Sequence, residues 1–138
     1  MPDRVKYRKM HRGNRAGLAT RGHTVAFGEY GLMALQRCWL DTKQIEAARV
    51  AISRNMKRHG KLWIRIFPHL PITGRPAETR MGSGKGEVKY WAQHVDAGTV
   101  IFEFAGVTEQ MAREAMRRQA HKFPLKMRMI TRIAGAAS

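Results

Sequence analysis

The stretch Arg80-Met81-Gly82-Ser83-Gly84-Lys85-Gly86 is the part of this 138-residue chain most suited to chemistry. Its three glycines let backbone N–H groups approach an anion closely, and Arg75, Arg80 and Lys85 add positive charge around them. A phosphate-binding P-loop requires G-x-x-x-x-G-K followed by Ser or Thr, set between a strand and a helix. Here Gly84-Lys85 is followed by Gly86, the residue five before Gly84 is Thr79, and the next segment alternates as a strand does. The hydroxyl that would hold magnesium is missing. These residues therefore describe a loop that cradles phosphates or a ligand, with a plain hairpin tip as the structural alternative, and not a nucleotide-hydrolysing site.

Other reactive groups are scattered. His11, His23, His59, His69, His94 and His121 show no metal-ligand spacing, and Cys38 is the only cysteine, so neither a metal nor a cofactor is expected. A Cys38–His pair meeting in space is left open, but a small buried apolar residue is the simpler reading of Cys38. The carboxylates are few, and Glu46 and Glu114 fall on helices where ion pairing accounts for them. Nothing forms a catalytic constellation. Trp63, Tyr90 and Trp91 are candidates for stacking on bases, set against a core role. Tyr90 and Trp91 take opposite strand faces, so at least one of them is expected in the core.

The strongest signal is charge. Lys and Arg number 26 against 10 Asp and Glu, a net +16, and the sequence pI is about 11.3. A compact domain repels itself at such a charge unless a polyanion neutralises it. A hydrophobic content of 43% argues against wholesale disorder. No run is long and apolar enough to span a membrane. The start lacks a secretory h-region and nothing reads as a transit presequence, so with a lone cysteine the expected setting is a reducing one, most simply a bacterial cytoplasm, with a mature organellar chain as the alternative.

The cations fall in groups. Residues 1–24 carry Arg4, Lys6, Arg8, Lys9, Arg12, Arg15 and Arg21 against Asp3, interrupted by Gly13, Gly17 and Gly22 and too poor in apolar residues for a helical stripe. This reads as a mobile basic arm in which arginines grip phosphates while Tyr7 and His11 stack on bases. Asp41 to His59 reads as a helix, with Asp41 and Gln44 forming a capping box, Ile45, Ala48, Ile52 and Met56 a single apolar stripe, and Gly60 the left-handed residue past its end. Lys43, Arg54, Lys57 and Arg58 form its cationic back, with Arg49 at the edge of the stripe.

The remaining elements must position these groups. Val25 to Leu40 reads as extended, with Gly28 and Gly31 marking a bulge or a close backbone approach. Lys61 to Phe67 alternates as a half-buried strand that Pro68 and Pro71 end, and another short strand is expected within Thr73 to Arg80. Val88–Val95 and Thr99–Phe104 look like a hairpin through Asp96-Ala97-Gly98. Thr108 to about Phe123 reads as a second helix, with Ala112, Ala115, Met116 and Phe123 on one side and Arg113, Arg117 and His121 on the other. Leu125 to Ile133 is a last strand. Two helices and five or six strands without βαβ alternation give an α+β domain whose helices cover one face of a sheet.

Taken together, several collinear runs resemble one family. Tyr7-Arg8-Lys9-Met10-His11-Arg12, Phe27-Gly28-Glu29-Tyr30-Gly31-Leu32, Gln44-Ile45-Glu46-Ala47-Ala48-Arg49 and Lys61-Leu62-Trp63-Ile64-Arg65-Ile66-Phe67-Pro68 are similar to the bacterial-type large-subunit ribosomal protein sixteen family. Pro71-Ile72-Thr73, the Arg80–Gly86 run, Tyr90-Trp91, Phe102-Glu103, Ala112-Arg113-Glu114-Ala115 and Lys122-Phe123-Pro124-Leu125-Lys126 continue the likeness from about Arg4 to Ile133.

That resemblance implies a two-layer α+β sandwich, two helices on a mixed, mainly antiparallel sheet with a hammerhead-like strand arrangement. It divides the chain into a basic arm (1–24), an rRNA-binding domain (25–134) and a short tail (135–138). It implies a non-enzymatic structural component of the large ribosomal subunit, bound to large-subunit rRNA near the aminoacyl-tRNA site. A-site tRNA is the implied contact, P-site tRNA a second one, and neighbouring large-subunit proteins further partners, with no membrane and no self-association. The rRNA-binding residues would be Lys6, Arg8, Lys9, His11, Arg12, Arg15, Arg21, Lys43, Arg54, Lys57 and Arg58. The loop of Arg80, Met81, Gly82, Gly84, Lys85 and Gly86 would face tRNA and the peptidyl-transferase region, and Arg80 matches a position hydroxylated in some relatives. The alternative class is a free-standing RNA or DNA chaperone or architectural binder.

Overall fold

The computed structural model describes residues 1–13, 17–57, 59–78, 80–82 and 84–132, so Arg15, Arg58, Ser83 and the tail 135–138 lie outside the described residues. The described elements follow the order β1 (Tyr30–Ala34), β2 (Cys38–Asp41), α1 (Thr42–Asn55), β3 (Lys61–Ile64), β4 (Leu70–Gly74), β5 (Glu87–Val95), β6 (Val100–Ala105), α2 (Glu109–Gln119) and β7 (Met127–Thr131). A short 3-10 turn, Ala120–Lys122, extends α2. The strands form a four-stranded sheet in the order β3-β6-β1-β7 and a three-stranded sheet in the order β2-β5-β4. Every ladder in both is antiparallel. The fold is α+β.

Local chemistry explains α1 closely. The Asp41 carboxylate accepts from the Gln44 N–H at 2.7 Å and the Gln44 side chain accepts from the Asp41 N–H at 3.1 Å, a complete capping box. Ile45, Ala48, Ile52 and Met56 are buried, as their spacing requires. The far end differs from the expectation. The helix closes at Asn55 with Met56 as C-cap and Lys57 left-handed at φ 52°; Gly60 is left-handed as expected, at φ 75°, but lies four residues past the cap. Gly60 also serves packing: a Cβ there would sit 2.3 Å from the Ala105 carbonyl oxygen. In α2, Thr108 caps the Met111 N–H, and Ala112, Ala115 and the following Phe123 are buried.

The main core lies between the four-stranded sheet and the two helices, which pack side by side. Leu32 and Ala34 of β1 and Ile101, Phe102 and Phe104 of β6 meet Ile45, Ala48, Ile52, Ala112 and Ala115 there. Phe102 stacks on Phe123 with centroids 5.9 Å apart. The β1–β6 register shifts between Leu32 and Met33, and this bulge leaves Ile101 out of the register yet inside the core. Leu70, Ile72 and Ala92 form a second, smaller cluster on the three-stranded sheet, backed by Trp39.

Several strand expectations are corrected. The extended segment Val25–Leu40 divides into β1 and β2, which belong to different sheets, and the five or six strands expected become seven among the described residues. Gly28 and Gly31 do mark close approach, since Cβ atoms there would lie 2.7 Å from the Phe104 oxygen and 2.9 Å from a Val25 methyl. β3 stops at Ile64, and Pro71 lies inside β4 instead of ending a strand; β4 is an edge, where a missing N–H is tolerated. β5 and β6 are not paired: the turn at Asp96–Gly98 hands the chain from the small sheet to the large one. Ala34 reaches into that turn, its N–H donating to Thr99 and its carbonyl accepting from Gly98, so these bonds replace a hairpin ladder.

One charged group is wholly buried in the strands. Glu103 of β6 accepts from the Ala26 N–H at 2.5 Å and the Phe27 N–H at 3.1 Å, and lies 3.4 Å from the Arg65 guanidinium. Arg65 also donates to the Thr24 carbonyl at 2.7 Å, and the Glu29 N–H donates to the Phe104 oxygen. Residues 24–29 are thereby strapped to β6 through a carboxylate with donors on both sides. Glu103→Ala is expected to lower the unfolding free energy by about 3 kcal/mol, because Arg65 and two N–H groups are left facing a cavity. Asp41→Ala, which removes only a cap, is expected to lower it by about 1 kcal/mol. Urea unfolding of both variants checks this, and equal losses would contradict the hub.

Candidate nucleic-acid interface

The cations singled out from sequence gather in two places. Lys6, Arg8, Lys9, His11, Arg12 and Arg21 are all exposed and precede β1. They are nevertheless held against the domain at several points. Lys9 Nζ donates to the Lys85 carbonyl at 3.1 Å, and Lys85 Nζ donates to the Met10 carbonyl at 2.7 Å. The Arg12 guanidinium lies over the Trp39 ring at 5.4 Å. Leu18 bridges Ala97, the Ala19 N–H donates to Ala97, and the Gly22 carbonyl accepts from the Val100 N–H.

The glycine-rich loop joins β4 to β5, so a strand follows it, not a helix. Arg75 braces it by donating to the Gly82 carbonyl at 2.5 Å, and Lys89 reaches back to the Arg75 carbonyl at 3.4 Å. Gly82 and Gly84 have φ of 99° and 81°, which only glycine takes without strain. Arg80, Met81, Gly82, Gly84 and Lys85 are exposed, Met81 completely, while Gly86 is half-buried. Together with Arg75 and Lys89 the loop encloses a concavity of about 450 Å³. The structure thus joins the arm at Lys9–Met10 to the loop at Lys85.

Lys43, Arg54 and Lys57 form the second group, exposed on or just past α1. Because α2 packs beside α1, these residues share grooves with cations that sequence reasoning left out of the site. Lys43 and Arg54 line one groove of about 650 Å³ with Lys122. Arg54 and Lys57 line another of about 930 Å³ with Arg117, Arg118 and His121. The signal for the latter was present in the polar side of the second helix, but the neighbouring helix was not legible from it. Among the described residues no hydrogen bond joins this helical face to the arm or the loop.

Several acids are committed to other cations. Glu46 pairs with Arg49, Glu109 with Arg113 at 2.7 Å, Glu114 with Arg118 at 3.5 Å and with Arg117 at 3.9 Å, and Glu103 with Arg65. Among the described residues no carboxylate lies within salt-bridge distance of Lys6, Arg8, Lys9, Arg12, Lys43, Arg54, Lys57, Arg75, Arg80 or Lys85. Those cations are available to an external anion.

The aromatic candidates divide differently. Trp63 is half-buried and stacks on Phe27 at 6.3 Å, with Arg65 over Phe27 at 5.4 Å, so its ring serves packing. Tyr90 is exposed and Trp91 half-buried, so neither is the core residue expected of that pair. Phe27, Trp39, Arg65 and Glu103 escaped sequence reasoning as site-positioning residues, because their roles depend on contacts far apart in the chain. Cys38 is half-buried and packs against the main core. Among the described residues no group of three His, Cys, Asp or Glu side chains is placed to hold a metal, and no helix is long and apolar enough to cross a membrane.

One exposed pair carries a resolved electrostatic signature. The hydrogen bond from Arg49 holds the Glu46 carboxyl below its ordinary pKa, slight desolvation opposing and the guanidinium charge assisting, and Arg49 is raised in return. A depressed folded pKa stabilises above the unfolded carboxylate pKa, and that contribution disappears as pH falls through the folded value. Arg49→Gln is expected to return the Glu46 titration towards its ordinary value, read by carboxyl NMR. An unmoved titration would show that the pair is not formed in solution.

The sequence that builds this cationic α+β domain also matches a known family. The family described as ribosomal protein L16p/L10e matches residues 2–130. The chain therefore belongs to the ribosomal protein L16p/L10e family, whose members are structural proteins of the large ribosomal subunit.

Proposed function

We infer that this protein binds large-subunit rRNA through its arm and helical face and presents the Arg80–Gly86 loop to tRNA at the aminoacyl site. P-site tRNA is a second contact, and neighbouring large-subunit proteins cover other surfaces of a single copy. The observation that carries this reading is the sorting of charge: acids neutralise Arg49, Arg65, Arg113, Arg117 and Arg118, while among the described residues the arm and loop cations and Lys43, Arg54 and Lys57 have none. Folded RNA is recognised through phosphates, 2′-hydroxyls and shape, so cations spread over two surfaces suit it better than one base-reading helix. Lys6, Arg8, Lys9, His11, Arg12 and Arg21 would follow RNA backbone along the arm, and Lys43, Arg54 and Lys57 would meet it at the helices. Arg15 and Arg58 extend the two sets by sequence alone.

Counterion release gives the reading a quantitative test. Deleting residues 1–13 removes Arg4, Lys6, Arg8, Lys9 and Arg12 while sparing the contacts at Leu18–Gly22. If each of the five meets one phosphate, the log–log salt dependence of rRNA binding is expected to flatten by about 4 to 5. An unchanged slope would reject the arm as an rRNA-binding element. Co-sedimentation with large subunits through high-salt washing separates a ribosomal component from a free chaperone, which would wash away.

For the loop, Arg80→Ala is expected to reduce tRNA binding to reconstituted subunits by about tenfold, with unfolding within about 0.5 kcal/mol of the parent, since Arg80 is exposed. A large loss of stability with normal tRNA binding would assign Arg80 to the fold instead.

A further inference from the structure

We propose that Lys9 and Lys85 close a single composite anion site from the arm and the glycine loop, and that its ligand is a phosphodiester of the RNA backbone. The proposal rests on the rRNA-binding reading above and adds to it that Lys85, at the β5 end of the loop whose Arg80 end meets tRNA, joins the arm on rRNA as one unit. The two lysines are 76 positions apart, yet each donates to backbone of the other's segment, Lys9 to the Lys85 carbonyl and Lys85 to the Met10 carbonyl. An ammonium has three N–H donors, so each lysine has used one and keeps two. Both side chains belong to exposed residues. Crossed contacts of this kind set two cations on adjoining segments, an arrangement that an anion shared by both would favour.

Among the described residues no carboxylate forms an ion pair with either lysine. Arg75 and Lys89 line the loop concavity with Lys85, and both are turned onto loop carbonyls at Gly82 and Arg75. Glu87 is the one acid lining that concavity, and among the described residues it forms no ion pair. A phosphodiester placed between Lys9 and Lys85 would take charge-assisted hydrogen bonds from both sides. Tyr7, 70% exposed and two residues before Lys9, offers a ring to an adjoining base, a contact an acidic peptide would not use. Because each lysine also fixes the other's backbone, loss of either opens the whole site.

A double-mutant cycle on the full chain tests this, with in vitro transcribed large-subunit rRNA as the probe and salt held constant. Lys9→Gln and Lys85→Gln are each expected to weaken binding about tenfold, and the double variant also about tenfold. A double variant weakened by about a hundredfold, the product of independent effects, would overturn the composite site while leaving rRNA binding intact. Failure of the unaltered protein to bind rRNA would overturn the rRNA reading and the ligand named here together. Amide hydrogen exchange of the protein without RNA supplies a second measurement. Lys9→Gln is expected to speed exchange at residues 84–86 and Lys6→Gln to leave it unchanged, and equal behaviour of the two would remove the structural basis of the site. Competition by poly-glutamate as effective as that by unlabelled RNA would overturn the phosphodiester assignment.

Discussion

The Glu103 carboxylate is buried in the middle of an otherwise apolar strand, and it is tolerable there only because three donors converge on it. Two are backbone N–H groups at Ala26 and Phe27 and the third is Arg65. A buried carboxylate without partners would be driven to neutralise or to disrupt the sheet. With them it becomes a specific clip. It fixes the chain from Thr24 to Glu29 across β6, and this fixes where the basic segment leaves the domain. Phe27 is set between Trp63 and Arg65 by the same clip, which is why so large an apolar side chain tolerates 60% exposure. The direction of the arm is thus a property of the core.

From that root the arm returns towards the small sheet. The bonds of Ala19 to Ala97 and of Val100 to Gly22 bring it to the turn between β5 and β6, and Arg12 reaches Trp39 on β2. The same sheet carries the glycine loop at the β4–β5 connection. The handover of β5 and β6 between sheets therefore does more than alter a topology. It places the turn at Ala97 where the arm can bond to it. Had β5 and β6 closed a hairpin in one sheet, the turn would lie at that sheet's end, and the strand carrying the loop would not belong to a separate sheet.

Elements governed by local spacing were legible in the sequence. The capping box of Asp41 and Gln44, the stripe from Ile45 to Met56 and the buried side of α2 all follow from residues within a turn or two of one another. Strand existence was legible too, but partner choice was not, since alternation says which face is buried and nothing about which strand lies alongside. This is why Val88–Val95 and Thr99–Phe104 looked like a hairpin. Gly60 is left-handed as its position suggested, but it stands beyond the end of α1, and the Ala105 carbonyl against it is a constraint no local pattern shows. The cationic residues were legible by type. Their grouping with Arg117, Arg118 and Lys122, and the clip at Glu103, depend on contacts that no local pattern encodes.

Charge segregation also bears on how a +16 chain stays folded. α2 places Glu109 and Glu114 one turn from Arg113, Arg117 and Arg118, so its repulsion is relieved within the helix. α1 relieves Arg49 in the same way, through Glu46. The cations assigned above to RNA lie instead on the arm, on a loop and at the exposed margins of α1, where water screens them and few buried contacts depend on their positions. Such a layout separates the charges that would strain the fold from those free to bind. Neutralising the second set by an external polyanion would then strengthen association greatly while altering the stability of the core little, because the groups that hold the core together have already found their partners inside it.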